Sequence, residues 1–523
     1  MSSTEVARAL VTELVALGVT DVVLSPGSRS APLAYACADA EAAGWVSTHV
    51  RADERTAGFF ALGLARATQL TGSLRAVAVV TTSGTAVANL HPAVLEADHA
   101  GLPLLVISAD RPHEWRGTGA SQTTDQPGMF ARAVRAETEF PARFNPRAIR
   151  GQLTRLVAAA LGTRSGDPGP AHLNVGFSEP LVPESRWTPE ERPAALAVEP
   201  APRPRPVLVP AGVATLLVAG DGAGPQAAAL AEAAGWPLLA EPSSGARLPG
   251  AIVHYQRLLA DGLAADARRV LVVGHPTLSR SVVRLLGRTD VEIIVVAPSG
   301  RWTDVTGTAA AVVGAVDPEP PMADDRAWLA RWRAADAAVA AVHQPDQRER
   351  AAGAVWATED WLLVGSSMTV RALDAAAPGL ERGARVTANR GLAGIDGLIA
   401  TGHGMAAGLG APVRVVLGDL SFQHDLGGLA RGTEEPDVDL QLIVLNDGGG
   451  AIFGTLEHAS APADLLRRYF TTPQQIDIPA AARALGADGR RVGVADLVAA
   501  LAEPVRGRSV LDVGLGLSQI GEF

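Results

Sequence analysis

The sequence predicts an α/β chain of three doubly wound parallel-sheet blocks, and three observations carry that expectation. Short apolar runs such as Val22–Leu24, Val413–Leu417 and Leu440–Leu445 do not alternate with polar residues, as suits strands buried on both faces of a sheet. Most of these runs end in a polar, glycine-bearing loop and pass into helical periodicity, the strand–loop–helix order of a crossover unit. That order recurs over 1–185, 206–320 and 345–523. Open sheets of this kind bind ligands at the carboxyl ends of their strands, so the strand-end loops are where chemistry is sought.

In the first block an amphipathic helix, Thr4–Leu17, precedes strand Val22–Leu24 and the turn Ser25-Pro26-Gly27-Ser28-Arg29-Ser30. Such a turn either receives an anion or caps the helix behind it, and capping is the commoner use of so short a motif. The cluster His49–Arg55 leads into helix Ala57–Ala67. Charges at a helix start usually form a solvated face, but this helix is apolar nearly all round, which predicts its burial and draws Glu54 inward. Strand Ala76–Val80 ends in Thr81-Thr82-Ser83-Gly84-Thr85, where hydroxyls can cap a helix through Asn89 and Leu95. Strand Pro103–Ser108 ends in Ala109-Asp110-Arg111-Pro112, and the polar loop Gly117–Gln126 suits a ligand. Strand Ala171–Val175 closes the block.

The proline-rich stretch Pro189–Pro210 reads as a semi-extended linker. In the middle block, strands Leu216–Ala219, Val270–Val273 and Glu292–Val296 alternate with helices. Gly220-Asp221-Gly222-Ala223-Gly224 looks like a dinucleotide fingerprint. Its acidic partner is missing, since Glu241 is the sole nearby candidate and Pro242 follows it, so nucleotide binding is the weaker reading. A helix over Trp328–Val342 and a polar stretch, Gln344–Arg350, lead to the last block.

There, strand Trp361–Val364 runs into Gly365-Ser366-Ser367-Met368-Thr369-Val370-Arg371, and Val386–Ala388 into Asn389-Arg390-Gly391. Val413–Leu417 ends in Gly418-Asp419-Leu420-Ser421, and Leu440–Leu445 ends in Asn446-Asp447-Gly448, with a crossover helix expected around Asp425–Arg431. A final strand lies near Val510–Val513. A carboxylate, an amide oxygen and a glycine-exposed carbonyl at neighbouring strand tips are hard donors suited to magnesium, and glycines let backbone N–H groups approach a diphosphate. Two ordinary strand-end turns account for the same residues, so both readings stand at this point.

Composition narrows the chemistry. The formal net charge is −10 over 523 residues, against nucleic acid or an anionic membrane as partner. The single cysteine, Cys37, rules out an intrachain disulfide or cysteine metal cluster. All 45 Lys+Arg residues are arginine, which excludes lysine Schiff bases and Walker-type phosphate lysines. Arginine grips carboxylates through a planar fork, so carboxylic acid substrates are expected. The N-terminus lacks a signal-peptide pattern and no apolar segment is long enough to span a bilayer, so a cytoplasmic chain without stable membrane insertion is expected.

With these loops in view, the chain resembles, over nearly its full length, the thiamine-diphosphate-dependent 2-succinyl-5-enolpyruvyl-6-hydroxy-3-cyclohexene-1-carboxylate synthases of menaquinone biosynthesis. The most specific matches are Ser25–Ser30, Asp53-Glu54-Arg55, Thr82–Leu90, Ala109–Pro112, Asn389-Arg390-Gly391 with Gly394-Ile395-Asp396-Gly397, and Gly418–Ser421, in that order. The resemblance implies pyrimidine-binding, central and diphosphate-binding domains. It implies a homodimer sharing active sites, with a homotetramer as the fuller assembly. It also implies thiamine diphosphate, with Mg2+ or Mn2+, as cofactors, and 2-oxoglutarate and isochorismate as substrates. An acetohydroxyacid-synthase-like enzyme or another 2-oxoacid decarboxylase is the alternative, disfavoured because monocarboxylate substrates would not need arginine in four strand-end loops.

Residue by residue, Glu54 matches the family's carboxylate beside the aminopyrimidine. Ser28, Arg29, Arg111, Gln122, Arg280, Ser367, Arg371 and Arg390 match substrate contacts. Ser83 and Gly84 match the cofactor's pyrimidine side, Leu420 and Ser421 its diphosphate side. Ile395 matches the support of the bent cofactor, and Ile452, Phe453 and Leu456 its apolar cover. Asp419, Asn446 and the Gly448 carbonyl match the metal ligands. Three departures stand out. Ser121 replaces the usual asparagine, Gly448 replaces Asn or Asp, and the segment around Gln344–Glu359 is short, which bears on the helix that opens the last domain.

Overall fold

A strand whose residues are all apolar must be covered on both sides, and the first sheet meets that need. The computed structural model describes residues 2–145, 147–298 and 300–516. In the first sheet, β1 (Asp21–Leu24), β2 (Ser47–Val50), β3 (Val77–Thr81), β4 (Leu104–Asp110), β5 (Glu137–Phe140) and β6 (Ala171–Gly176) lie in the order β2-β1-β3-β4-β6-β5. Every residue of β3 and β4 is buried. One face is packed by helices Ser3–Ala16, Ala31–Ala42 and Ala148–Ala160. The other is packed by Glu54–Leu70 and His91–Ala100.

β7 (Val207–Val209) ends the proline-rich linker. The central sheet takes β8 (Thr215–Ala219), β9 (Leu238–Ala240), β10 (Arg269–Val273), β11 (Glu292–Val296) and β12 (Ala311–Val313) in the order β12-β11-β10-β8-β9. β13 (Val316–Pro318) pairs with β7, so the linker is tied to the end of the central block. The last sheet comprises β14 (Trp361–Val364), β15 (Val386–Ala388), β16 (Val413–Gly418), β17 (Leu440–Asn446), β18 (Asp488–Gly493) and β19 (Arg508–Gly514). Its order is β15-β14-β16-β17-β19-β18. All pairings in the first and last sheets are parallel.

Several expectations need correction. The predicted helix around Asp425–Arg431 does not form; the helix is Asp419–His424, directly at the tip of β16, and Leu426–Leu429 is a single 3₁₀ turn. Gly427 and Gly428 disfavour α-helix there, and the Asp425 carboxylate is taken up by the Ala400 N–H at 2.9 Å. The helix placed at Ala57–Ala67 begins earlier, at Glu54, because the Asp53 side chain accepts from the Arg55 and Thr56 N–H groups. The helix through Asn89 is broken into Thr85–Ala88 and His91–Ala100, with Pro92 in the first turn of the second. The polar stretch Gln344–Arg350 is partly helical: Asp346 and Glu349 form a capping box for Gln347–Trp356, so the short segment keeps its opening helix. Edge strands β2, β5 and β18 escaped detection because they are partly exposed and mixed in polarity, and β12 because it is only three residues long.

Helices Glu54–Leu70 and Leu398–Leu409 cross back to back between the first and last sheets. A side chain on Gly63 would run into the Thr401 carbonyl, and one on Gly404 into the Phe60 carbonyl, so the backbones touch. Phe59, Phe60, Leu62 and Leu64 are almost wholly buried beside this crossing. Each such side chain is worth about 1.5–3 kcal/mol of burial.

Candidate functional site

At the carboxyl ends of the first sheet, the loop after β1 lies so close to the loop after β3 that a side chain on Gly27 would overlap Thr82. Arg29 is buried there, with Nη1 donating to the Phe177 carbonyl at 2.9 Å and its guanidinium 5.7 Å from the Trp115 ring centre. Burial, and then the like charge of Arg111, lower its pKa. Arg111 follows β4 and donates through Nη1 to Ser83 Oγ and, at 3.0 Å, to the Gln122 carbonyl. The Gly84 N–H donates to Gln126 Oε1 at 3.0 Å. Arg29, Arg111, Ser83, Gly84 and Gln122 are thus brought together, with Ser28 exposed beside Arg29. Gln122 holds φ at 52°, strain of the kind that collects at ligand loops.

Glu54 opens its helix and is half-buried rather than drawn fully inside. Asn89 Nδ2 donates to its Oε2 at 3.4 Å. The neighbouring Arg55 Nη2 reaches the His424 carbonyl at 3.0 Å, so the start of this helix rests on the last sheet's helix Asp419–His424.

In the last sheet Asp419 is buried at the tip of β16, its carboxyl pushed up to about 6 by burial and then by the charge of Asp447. Asn446, at the tip of β17, accepts the Gly448 N–H on Oδ1 at 3.0 Å and donates from Nδ2 to Asp512 at 2.9 Å. Gly448 and Gly449 have φ of 78° and 149°, which only glycine adopts readily. Ser421 is buried and Leu420 half-buried behind them. Ile395, Ile452, Phe453 and Leu456 are half-buried around the opening, and Phe453 packs on Phe470 at 5.6 Å. Two crowded carboxylates, an amide oxygen and a side-chain-free turn are what a divalent cation carrying a diphosphate requires, so the residues present fit that group.

A second cationic cluster flanks this one. Arg371 Nη1 donates to the Ser367 carbonyl at 2.8 Å, and Ser367 itself holds φ at 73°. Burial lowers the Arg371 pKa, followed by repulsion from Arg390 and Arg280, so three arginines share one field. Arg390 is buried and donates from Nη2 to Thr277 Oγ1 at 3.0 Å. Among the described residues its Nε and the buried Ser366 Oγ find no hydrogen-bond partner, donors left over for a ligand. Arg280 is exposed and opens a helix capped by Ser279. Among the described residues, the side chains of Arg29, Glu54 and Arg111 make no hydrogen bond or ion pair with those of Asp419, Asn446, Arg371 and Arg390.

Sequence reasoning missed the buried acids behind these arginines. Glu96 accepts the Gly391 and Leu392 N–H groups, both at 2.8 Å. Burial raises its pKa and those two hydrogen bonds oppose the rise. Glu241 is pushed up to about 8 by burial and then by Asp374, while its Oε1 takes the Leu278 N–H at 2.9 Å. Asp374 is itself held by Arg247 at 3.3 Å and Tyr255 at 2.5 Å. The available signal was an acid set among apolar residues, Val94-Leu95-Glu96-Ala97. The Gly220–Gly224 fingerprint is filled by the chain itself: a side chain on Gly220 would meet Pro276, and Asp221 bridges to His275.

Residues 4–129 match the family described as thiamine pyrophosphate enzyme, N-terminal TPP binding domain, and residues 380–513 its C-terminal TPP binding domain. The chain is 48% identical to a 2-succinyl-5-enolpyruvyl-6-hydroxy-3-cyclohexene-1-carboxylate synthase of Kineococcus radiotolerans, over 98% of this chain and 95% of the relative. Proteins of the same description from Nocardioides sp. and Rhodococcus erythropolis are 45% and 40% identical, over 98% and 100% of this chain and 95% and 98% of theirs.

Proposed function

The chain belongs to the 2-succinyl-5-enolpyruvyl-6-hydroxy-3-cyclohexene-1-carboxylate synthase family, and from that premise we propose how its residues divide the work. It is a thiamine-diphosphate-dependent transferase that moves a succinyl unit in menaquinone biosynthesis. Its substrates are 2-oxoglutarate and isochorismate. When bound, thiamine diphosphate supplies the electron sink through which 2-oxoglutarate loses carbon dioxide and its succinyl carbon adds to isochorismate.

Glu54 exchanges a proton with N1′ of the aminopyrimidine. Ser83 and Gly84 border that ring. Asp419, Asn446 and the Gly448 carbonyl hold Mg2+ or Mn2+, and Leu420 and Ser421 receive the diphosphate. Ile395 supports the cofactor, while Ile452, Phe453 and Leu456 cover it against water. The single observation that carries the substrate reading is the grouping of arginines that form no ion pair among the described residues, Arg29 with Arg111 and Arg371 with Arg390 and Arg280. Two dicarboxylates supply the missing anions, with Ser28, Gln122 and Ser367 as polar contacts.

The Glu54 set and the Asp419 set meet across two subunits, in a homodimer that extends to a homotetramer. The domains run over 1–185, 206–320 and 345–523. No helix of the described residues is long and apolar enough to cross a membrane, and the chain works in the cytoplasm without nucleic acid. The test is carbon dioxide release from 2-oxoglutarate with thiamine diphosphate and Mg2+, with and without isochorismate. Adduct formation that needs both substrates supports the reading. Turnover of pyruvate in its place would move the chain to acetohydroxyacid-synthase-like chemistry.

A further inference from the structure

Arg390 stands at the tip of β15, yet what fixes it comes from the other two sheets. From the first sheet, the Glu96 carboxylate takes the backbone N–H groups of Gly391 and Leu392, one on each oxygen, both at 2.8 Å. The fit is close: a side chain on Gly391 would stand 2.7 Å from the Glu96 carbonyl and 3.0 Å from the Ala100 nitrogen. Arg66, also of the first sheet, reaches the Ala388 carbonyl at 3.5 Å, two residues before Arg390. From the central sheet, Thr277 accepts from the guanidinium at 3.0 Å. Glu96 is only 4% exposed and lies on a helix whose other buried members are Ala93, Val94, Ala97 and Asp98, the last ion-paired to Arg135.

A buried carboxylate is costly unless its oxygens are matched, and here both are matched by amides next to one substrate arginine. We propose that Glu96 is a positioning residue for substrate binding, holding the Gly391–Leu392 backbone so that the Arg390 fork faces a substrate carboxylate. The inference rests on the proposed role of Arg390 as a substrate cation. Glu96 touches neither substrate nor cofactor; it acts through the loop.

The experiment measures KM and kcat for 2-oxoglutarate and isochorismate in Glu96→Gln, Arg390→Ala and the double variant, with thiamine diphosphate and Mg2+ saturating. An amide cannot accept from both N–H groups, since its nitrogen is a donor. Glu96→Gln is therefore expected to raise KM about ten-fold, the scale of one charge-assisted hydrogen bond, for the same substrate that Arg390→Ala affects. Its kcat should change less than about three-fold, since an interaction made equally in ground and transition state leaves kcat alone. In the Arg390→Ala background the substitution should add nothing. Gly391→Ala pushes the same loop away with Glu96 intact and should reproduce the pattern, which keeps the test usable if Glu96→Gln fails to fold. Independent, multiplying effects of the two substitutions, or a folded Glu96→Gln with unchanged KM, would overturn the inference alone. An Arg390→Ala protein with unchanged KM for both substrates would overturn the role of Arg390 as well.

Discussion

The first and last sheets share one strand order and set different residues at the ends of its strands. In each, the strand second in sequence lies at one edge and the last two are interchanged, so β2 corresponds to β15, β3 to β16 and β4 to β17. The loops after these strands carry Glu54, Ser83 with Gly84, and Arg111 in the first sheet. They carry Arg390, Asp419, and Asn446 with Gly448 in the last. Equivalent positions on one architecture thus carry unlike residues: Glu54 answers to Arg390, Ser83 and Gly84 to Asp419, and Arg111 to Asn446. The helices that follow β2 and β15 are the two that cross back to back, so the sheets are joined through corresponding elements. Topology decides where a strand-end residue sits; the residue alone decides what it does.

That division can be broken at several points. The largest effect is expected from Glu54→Gln, which should lower turnover by roughly two to four orders of magnitude while thiamine diphosphate still binds. Carbon dioxide release beside a calorimetric titration reads both, and an equal loss of binding would erase the contrast between the sheets. Next, Gly404→Ala places a methyl against the Phe60 carbonyl and should cost up to about 3 kcal/mol of stability, read as a lowered Tm of a single transition. Two separated transitions would show that the sheets do not depend on their shared crossing.

A third effect comes from His403 in the same crossing, whose ring packs on Phe60 at 5.3 Å. Burial, and then Arg51, push its pKa down to about 3. The unfolded chain therefore binds the proton that the folded chain refuses, and stability falls as pH drops below about 6.5, by about 2 kcal/mol at pH 5. Asp425, pushed up to about 7 by burial, works with the opposite sign, since the folded chain takes up its proton first as pH falls. Comparing Tm of the parent with His403→Gln between pH 7 and 5 isolates the histidine, and the variant's profile should be flatter on the acid side. The smallest effect is Asp346→Ala, which removes the cap of helix Gln347–Trp356 and should cost about 1 kcal/mol in denaturant unfolding.

How much was legible in the sequence follows from burial. β3, β4, β16 and β17 are central, coated on both faces, and their largely apolar, non-alternating runs announced them. β2, β5 and β18 lie at edges, where residues meet water and the run dissolves into a mixed pattern. The strand-end motifs placed Asp419, Asn446, Arg111 and Arg390 at their tips because loop chemistry is local. Glu96 and Glu241 were beyond reach, since their partners, Leu392 and Leu278, are distant in sequence. Helix Asp419–His424 shows a subtler limit. Hydropathy marked a crossover but could not choose between its two ends, and the glycine pair settled it.

The bare-backbone crossing of Glu54–Leu70 and Leu398–Leu409 also bears on how the protein can be taken apart. Cut between the sheets, each half would present to water the apolar outer face of a helix that the other half now covers, a surface prone to aggregation. The smallest fragment that keeps its fold is then the pair of outer sheets together. In amide exchange, the cores of β3 and β16 should open as one cooperative unit despite the more than three hundred residues of chain between them.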